Sequence, residues 1–312
     1  MKCAFLFPGQ GSQSVGMLAA YGDIPSVHRV VAEASEILGQ DIGRLISDGP
    51  ASELNSTVNT QPVMVTVGYA AYRAWLELGG APPAIAAGHS LGEYTALVAA
   101  GALTLADCLP LVRLRAQAMQ DAVPQGEGAM AALLGIEDEN ARAACKEASQ
   151  GQVVEAVNFN SPGQVVIAGH STAVARAIEL AKARGAKRAV LLPVSAPFHS
   201  SLMAPAAEKL RTALEKVQFK STDFPVIHNY DGKVRGNPAE IKAALVSQAD
   251  HPVLWSQCIM AISNYGAVRA FECGPGKVLA PLCRRISPGL EGIALTDKNA
   301  IEQGVISTRG EP

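Results

Sequence analysis

Short apolar runs alternate with longer helical patterns along the first part of this 312-residue chain. The apolar runs include Cys3–Phe7 and Ala84–Ala87, and the helical patterns include residues 27–38 and 62–78. Alternation of this kind is typical of a parallel sheet that carries helices on both faces. We therefore predict an α/β fold with a mainly parallel sheet.

A turn-rich stretch near Val123–Gly128 interrupts this alternation. The predicted elements that follow run strand, helix, strand, strand, helix, strand and end near Val194. This β-α-β-β-α-β order is the ferredoxin-like arrangement. We expect a small ferredoxin-like domain at residues 126–195, inserted into a large domain made of residues 1–125 and 196–312. Residues after Lys298 show no clear periodicity and are expected to fray.

A serine lies at the centre of Gly88-His89-Ser90-Leu91-Gly92, between an apolar run and an Ala/Leu-rich stretch. In a sharp strand-to-helix turn, glycines two positions before and after the serine relieve crowding around its strained backbone. The hydroxyl then lies at the carboxyl edge of the sheet, beside the positive end of the next helix. The motif predicts that Ser90 is a nucleophile and that the large domain is α/β-hydrolase-like.

A second, weaker copy of this motif occurs at Gly169-His170-Ser171-Thr172-Ala173. It lacks the closing glycine, so we interpret Ser171 or Thr172 as the N-cap of the following helix.

A serine nucleophile needs a base, and the chain has six histidines. His199 is the strongest candidate because Pro197-Phe198-His199-Ser200 follows a predicted strand, near the edge where catalytic loops of open α/β sheets meet. An exposed loop histidine without a catalytic role is the alternative.

The glycine-rich turn after the first strand contains Gln10, and it has no lysine, so it is not a phosphate-binding loop. Its backbone N–H, together with that of Leu91, could form an oxyanion hole. Arg113 and Arg115 are two positions apart on one predicted helix, so at most one faces the site. An arginine there would bind a carboxylate, which a simple esterase does not need.

The composition excludes several classes of function. The formal net charge is −2 and no basic run is present, so we expect neither a nucleic-acid nor a membrane partner. The six cysteines are scattered without metal-ligand spacing, so we expect no metal. Reduced thiols and the lack of an N-terminal targeting segment predict a cytoplasmic protein.

Taken together, several motifs resemble the malonyl-CoA:acyl carrier protein transacylases of bacterial fatty acid synthesis, in order and over about residues 3–285. The motifs are Phe7-Pro8-Gly9-Gln10-Gly11-Ser12-Gln13, Gly88-His89-Ser90-Leu91-Gly92-Glu93-Tyr94, Asn158-Phe159-Asn160-Ser161-Pro162-Gly163-Gln164, Pro197-Phe198-His199-Ser200 and Glu272-Cys273-Gly274-Pro275-Gly276-Lys277-Val278-Leu279.

The resemblance implies a ping-pong acyl transfer. Ser90 would attack the malonyl thioester with His199 as base, and the phosphopantetheine thiol of acyl carrier protein would then attack the serine ester. The N–H groups of Gln10 and Leu91 would form the oxyanion hole. The substrates would be malonyl-CoA and the carrier protein, no cofactor would be needed, and we expect a monomer.

Further roles follow from the same resemblance. Arg115 would hold the malonyl carboxylate, and a backbone carbonyl at Gln248 would orient the histidine in place of an aspartate. Phe198 and Asn160 would contact the substrate, and the bulk of Phe198 would disfavour an α-methyl branch.

Two alternatives stay open at the level of sequence. A serine esterase or thioesterase would need an aspartate, for which Asp231 and Asp250 are the candidates. The inserted small domain alone would also fit a non-catalytic subunit that docks a carrier protein.

Overall fold

The computed structural model describes residues 2–194 and 196–309. The predicted domain ranges also include residues 1, 195 and 310–312, which lie outside the described residues. The strands are β1 (Cys3–Phe7), β2 (Ile85–Gly88), β3 (Gly128–Leu134), β4 (Val154–Ser161), β5 (Gln164–His170), β6 (Arg188–Leu191), β7 (Val226–Ile227), β8 (Arg269–Glu272) and β9 (Glu291–Ala294). The helices are α1 (Pro25–Leu38), α2 (Ile42–Asp48), α3 (Ala51–Leu54), α4 (Thr57–Glu77), α5 (Gly92–Ala99), α6 (Leu105–Asp121), α7 (Asp138–Ala148), α8 (Ser171–Ala183), α9 (Ala204–Glu215), α10 (Pro238–Asp250), α11 (Trp255–Asn264), α12 (Ala280–Ile286) and α13 (Lys298–Thr308).

The larger sheet has the strand order β7-β2-β1-β8-β9, and its neighbouring strands are parallel. Alternate side chains of β1 enter different hydrophobic cores: Phe5 and Phe7 pack in one, Ala4 and Leu6 in the other. A parallel sheet is buried on both faces, which explains why its strands are apolar without alternation. The predicted parallel α/β sheet is confirmed.

The smaller sheet has the strand order β4-β5-β3-β6 with antiparallel neighbours. Helices α7 and α8 bury their alanine-rich faces against it. This is the ferredoxin-like arrangement, so the predicted fold class is confirmed. Two backbone hydrogen bonds join β4 to Val253, which lies between α10 and α11. Phe159 N donates to Val253 O over 3.0 Å, and Val253 N donates to Val157 O over 2.8 Å. The domain ends placed at residues 125 and 196 stay a prediction.

The expected fraying after Lys298 is wrong. Helix α13 spans Lys298–Thr308, and the side chain of Asp297 caps it by accepting from Ala300 N over 2.8 Å. Ile301 and Val305 are buried in the core shared with Trp75 and Phe271. Two apolar positions four residues apart were too few to reveal the helix from its pattern, but they suffice for packing.

Candidate active site

Ser90 lies in the turn between β2 and α5, with a backbone φ of 51°. A Cβ added to Gly88 would lie 1.9 Å from the backbone of Gly92, and one added to Gly92 would lie 2.0 Å from Phe7 O. The two glycines therefore allow the turn to pack against β1. The left-handed φ of a non-glycine residue is strained, as expected for a residue held in place for chemistry.

The side chains of Ser90 and His199 are in contact, with 2.6 Å between the serine Oγ and the histidine Nε2. On the other side of the ring, Nδ1 lies 2.8 Å from the backbone oxygen of Gln248. A carbonyl oxygen only accepts, so Nδ1 carries the proton and Nε2 is left free to accept one from Ser90. His199 is 3% exposed and has a φ of 65°.

Burial, and to a smaller extent the nearby Arg115 guanidinium, lowers the pKa of His199 to about 3, and the hydrogen bond to the Gln248 carbonyl opposes this shift. Removing an imidazole from water disfavours its charged form, and a neighbouring cation does the same. The ring is therefore neutral over the physiological range and is able to accept a proton.

Arg115, on α6, is 2% exposed and reaches the same point. Its Nη1 donates to Gln61 Oε1 over 2.9 Å, and its Nη2 donates to Gln248 Oε1 over 3.0 Å and to Ser90 Oγ over 3.3 Å. Burial lowers the pKa of this guanidinium, but arginine remains protonated in proteins. No Asp or Glu of the described residues forms an ion pair with it.

Such a buried, unpaired cation beside a nucleophile can bind an anionic group of a substrate. Arg113 points elsewhere, donating to Leu38 O and to Gln40. Residues two positions apart on a helix point in directions about 200° apart, so the two arginines face different sides, as the sequence indicated.

A polar cluster behind the serine was missed by the sequence reasoning. Asn229 Oδ1 accepts from Ser90 N over 2.6 Å, and its Nδ2 donates to Gly88 O over 2.7 Å. The buried carboxylate of Glu93 lies 2.7 Å from His228 Nδ1 and accepts from Asn229 N over 2.8 Å. The available signal was the polar pair His228-Asn229 directly after an apolar strand, at the carboxyl edge of the sheet.

A cavity of about 240 Å³ opens over Ser90, between the two sheets. Seven of the eight predicted site residues line it: Gln10, Ser90, Leu91, Arg115, Asn160, Phe198 and His199. Gln248 lies behind Ser90 and His199 and does not line the cavity. Apolar side chains complete the wall: Met130 and Val166 from the smaller sheet, and Leu279 from the start of α12. A mainly apolar cleft with a few convergent polar groups is the usual form of a small-molecule site.

Asn160 lies on β4 and contacts His89, with 2.8 Å between the asparagine Oδ1 and the histidine Nε2. Gln10 lies in the turn after β1, and its side chain donates to Thr57 Oγ1 over 3.3 Å. Gln10 and Leu91 therefore lie in the turns that follow β1 and β2, two adjacent parallel strands of the larger sheet. That edge is where the turns after neighbouring parallel strands meet.

The competing candidates lie away from the cavity. Ser171 begins α8 as its first residue rather than as its cap, and its hydroxyl donates to Gly126 O over 2.9 Å. Asp231 is paired with Arg235 and Asp250 with His251. The Nδ1 partner of His199 is a backbone oxygen, so neither aspartate completes a Ser-His-Asp triad here.

Among residues 2–194 and 196–309, no cluster of three His, Cys, Asp or Glu side chains could hold a metal ion. Within the same ranges, every helix is too short or too polar to cross a membrane.

The chain is similar to known acyltransferases. Residues 4–268 match the family model of the acyl transferase domain. The chain is 51% identical over 299 residues to the malonyl CoA-acyl carrier protein transacylase of Escherichia coli strain K12, covering 96% of this chain and 97% of that one. It therefore belongs to the malonyl CoA-acyl carrier protein transacylase family, and the predicted family and enzyme class are confirmed.

Solved structures agree with this assignment. The acyl-carrier-protein S-malonyltransferase of Burkholderia pseudomallei 1710b superposes with a TM-score of 0.96 at 58% identity, covering 98% of this chain and 100% of that chain. A malonyl-transacylase solved in complex with a type II PKS acyl-carrier protein superposes with a TM-score of 0.97 at 46% identity, covering 99% and 100%.

Proposed function

We propose that this acyltransferase moves the malonyl group of malonyl-CoA to the phosphopantetheine thiol of acyl carrier protein through an ester on Ser90. The observation that carries the proposal is the 2.6 Å contact between Ser90 Oγ and the free Nε2 of His199, with Arg115 beside it. A base, a nucleophile and a buried cation meet at the floor of one cavity.

In the first half-reaction, Ser90 Oγ attacks the thioester carbonyl of malonyl-CoA while His199 Nε2 takes the hydroxyl proton. The tetrahedral oxyanion accepts hydrogen bonds from the backbone N–H groups of Gln10 and Leu91. When the intermediate collapses, the C–S bond breaks and His199 returns the proton to the leaving sulfur. CoA departs as a thiol and the malonyl group remains as an ester on Ser90.

The second half-reaction reverses these steps with a different thiol. The phosphopantetheine thiol gives its proton to His199 and attacks the ester, and Ser90 leaves with that proton. One thioester is exchanged for another, so atoms and charge balance with no oxidant or reductant. Arg115 holds the malonyl carboxylate through both halves by paired charged hydrogen bonds. Phe198 and Asn160 contact the acyl and pantetheine parts from the cavity wall.

Gln248 acts through its backbone. Its carbonyl holds the proton on Nδ1 of His199 and turns Nε2 toward Ser90. A carbonyl carries no full charge, so the pKa of the imidazole stays low, whereas a carboxylate at this place would raise it.

The remaining expectations stand as proposals beside this mechanism. We propose a cytoplasmic monomer that needs no cofactor and no nucleic-acid or membrane partner. Its physiological partner is the phosphopantetheinylated carrier protein of fatty acid synthesis.

Intact-mass spectrometry after mixing with malonyl-CoA tests the central step. We expect one malonyl adduct, located on Ser90 by peptide mapping, that disappears on addition of phosphopantetheinylated carrier protein with formation of malonyl-carrier. Ser90→Ala should form no adduct, while the control Ser171→Ala, in the second motif, should form it fully. A wild-type chain that hydrolyses malonyl-CoA without loading the carrier would contradict the proposal.

A further inference from the structure

Glu93 is a buried carboxylate to which the mechanism gives no role. It lies on α5, three residues after the nucleophile, and its side chain is 0% exposed. A buried charge is costly unless every oxygen has a partner. Its Oε1 contacts His228 Nδ1, and its Oε2 accepts from Asn229 N and from Gln248 Nε2. The last of these bonds, 2.9 Å long, connects Glu93 to the active site.

The side-chain amide of Gln248 has different partners at its two ends. Its Nε2 donates to Glu93 Oε2 and to the backbone oxygen of Ser90, each over 2.9 Å. Its Oε1 accepts from Nη2 of Arg115 over 3.0 Å. The two oxygens at the Nε2 end can only accept, and the guanidinium can only donate, so the partners permit one orientation of the amide.

Rotating this amide by 180° would turn every favourable contact into an unfavourable one. Gln248 Oε1 would then face the carboxylate of Glu93 and a carbonyl, and its NH₂ group would face the guanidinium of Arg115. Of the two acceptors of Gln248 Nε2, Glu93 is the charged one, and hydrogen bonds to charged groups are about twice as strong as neutral ones. The acceptor that most strongly holds the amide in place is therefore Glu93.

We propose that Glu93 is a positioning residue that orients the Gln248 amide and, through it, the guanidinium of Arg115 that binds the malonyl carboxylate. Glu93 thereby helps to set the preference for malonyl over acetyl groups. This inference rests on the proposed function, because it assigns Arg115 to the malonyl carboxylate.

The amide of Gln248 lies between the carboxylate of Glu93 and the guanidinium of Arg115. A carboxylate in contact with Arg115 would neutralise the guanidinium and compete with the anionic substrate. An interposed amide presents a neutral oxygen to the guanidinium, so the arginine is held in place while its charge stays available. Gln61 Oε1, at 2.9 Å from Nη1, is a second neutral acceptor of the same kind.

The test compares the two acyl groups in the full-length enzyme. Ser90 acylation by malonyl-CoA and by acetyl-CoA is measured separately as kcat/KM, with intact mass as the readout. Glu93→Met removes the acceptor, and Gln248→Met removes the amide but keeps the backbone carbonyl that contacts His199. We expect the acetyl-to-malonyl ratio to rise about tenfold in both, mainly through loss of malonyl transfer.

The conservative variant Glu93→Gln retains one oxygen acceptor and should keep more of the malonyl preference than Glu93→Met. The matched control is Glu272→Met, which removes another buried carboxylate, one that accepts from Val278 N, Leu279 N and Ala280 N. We expect it to lower stability without changing the ratio.

Each outcome decides between a positioning and a purely structural role. If both acyl groups lose rate equally in Glu93→Met and Gln248→Met, or if Glu272→Met raises the ratio as much, the proposal is overturned. If Glu93→Met does not fold, Gln248→Met decides it. A wild-type enzyme that forms no malonyl-Ser90 would instead overturn the proposed function, and this inference with it.

Discussion

Nδ1 of His199 donates a hydrogen bond to the backbone oxygen of Gln248 over 2.8 Å. Among the residues that the structure describes, the histidine therefore has no acidic partner, and its ring is buried near the guanidinium of Arg115. Each of these conditions favours a neutral imidazole.

The acylation rate should be nearly independent of pH between pH 5 and pH 8. With a His199 pKa lowered to about 3, almost all of the base is neutral at pH 5. A base with the unperturbed histidine pKa of about 6.5 would lose about thirtyfold in rate over the same change. Rapid-quench measurement of malonyl-Ser90 formation distinguishes the two, and a fall of that size would refute the assignment of a low pKa.

The same pKa shift makes the stability of the protein pH-dependent. Because the pKa of His199 is lowered in the folded state, the unfolded chain takes up the proton first as the pH falls below about 6.5. The stabilising contribution is complete above that pH and is lost progressively toward pH 3. By pH 5 the loss is about 2 kcal/mol.

Urea unfolding of wild type and His199→Gln at pH 7.5 and pH 5 measures this contribution. The variant should lose less stability on acidification than wild type, whereas His28→Gln, at an exposed helix position, should match wild type. Equal losses in all three proteins would remove His199 as the source.

Arg115→Ala should raise the acetyl-to-malonyl preference. If Arg115 binds the malonyl carboxylate as proposed, removing the guanidinium takes away charged hydrogen bonds worth about 3 kcal/mol, or about a hundredfold in malonyl kcat/KM. Acetyl transfer, which uses no carboxylate, should change much less. Arg113→Ala, two positions away on the same helix, is the control and should leave the ratio as in wild type. A ratio that does not move in Arg115→Ala would remove the arginine from this role.

Asn229→Ala should slow acylation and lower stability together. Ser90 N would lose its 2.6 Å acceptor, and Gly88 O would lose its 2.7 Å donor, which leaves buried backbone groups unpaired. Each such group costs about 1–3 kcal/mol. We expect at least a tenfold lower acylation rate and a lower urea midpoint.

The control Asn237→Ala removes a helix cap on α10 and should lower stability alone, by about 1 kcal/mol. Asn229→Ala with wild-type acylation would show that the turn holds its shape without this side chain.

Gly92→Ala should prevent correct folding of the serine turn. The added methyl would lie 2.0 Å from the backbone oxygen of Phe7, which cannot move without disturbing β1. We expect a loss of about 3 kcal/mol or more. Gly289→Ala meets no atom within 4 Å and should be close to neutral. Thermal and urea unfolding of both variants check this, and a Gly92→Ala protein as stable as wild type would show that β1 yields.

Sequence patterns were most informative where a local constraint acts alone. The run Cys3–Phe7 predicted β1 with the bounds that the structure has, because a strand buried on both faces must be continuously apolar. The antiparallel small sheet was likewise predicted from the order of its elements. Helix α13 was missed because its two buried apolar side chains, Ile301 and Val305, give too weak a period.

The sequence by itself determined the turn around Ser90. Both Gly88 and Gly92 are required in this five-residue motif, since only glycine fits against the neighbouring backbone at either position. The family and its chemistry also followed from short motifs, each of which is local in the chain.

Only the tertiary structure decided what surrounds that turn. His199 lies 109 residues from Ser90 in sequence, Asn229 lies 139 from it, and Glu93 lies 155 from Gln248. Contacts over such separations depend on how the sheet and its helices pack, and no local period records them. A buried polar group needs a hydrogen-bond partner within the protein, because water no longer reaches it. Which group becomes that partner depends on the packing around it. The orientation of Arg115 by Gln248 and Glu93 is for this reason a property of the packed core.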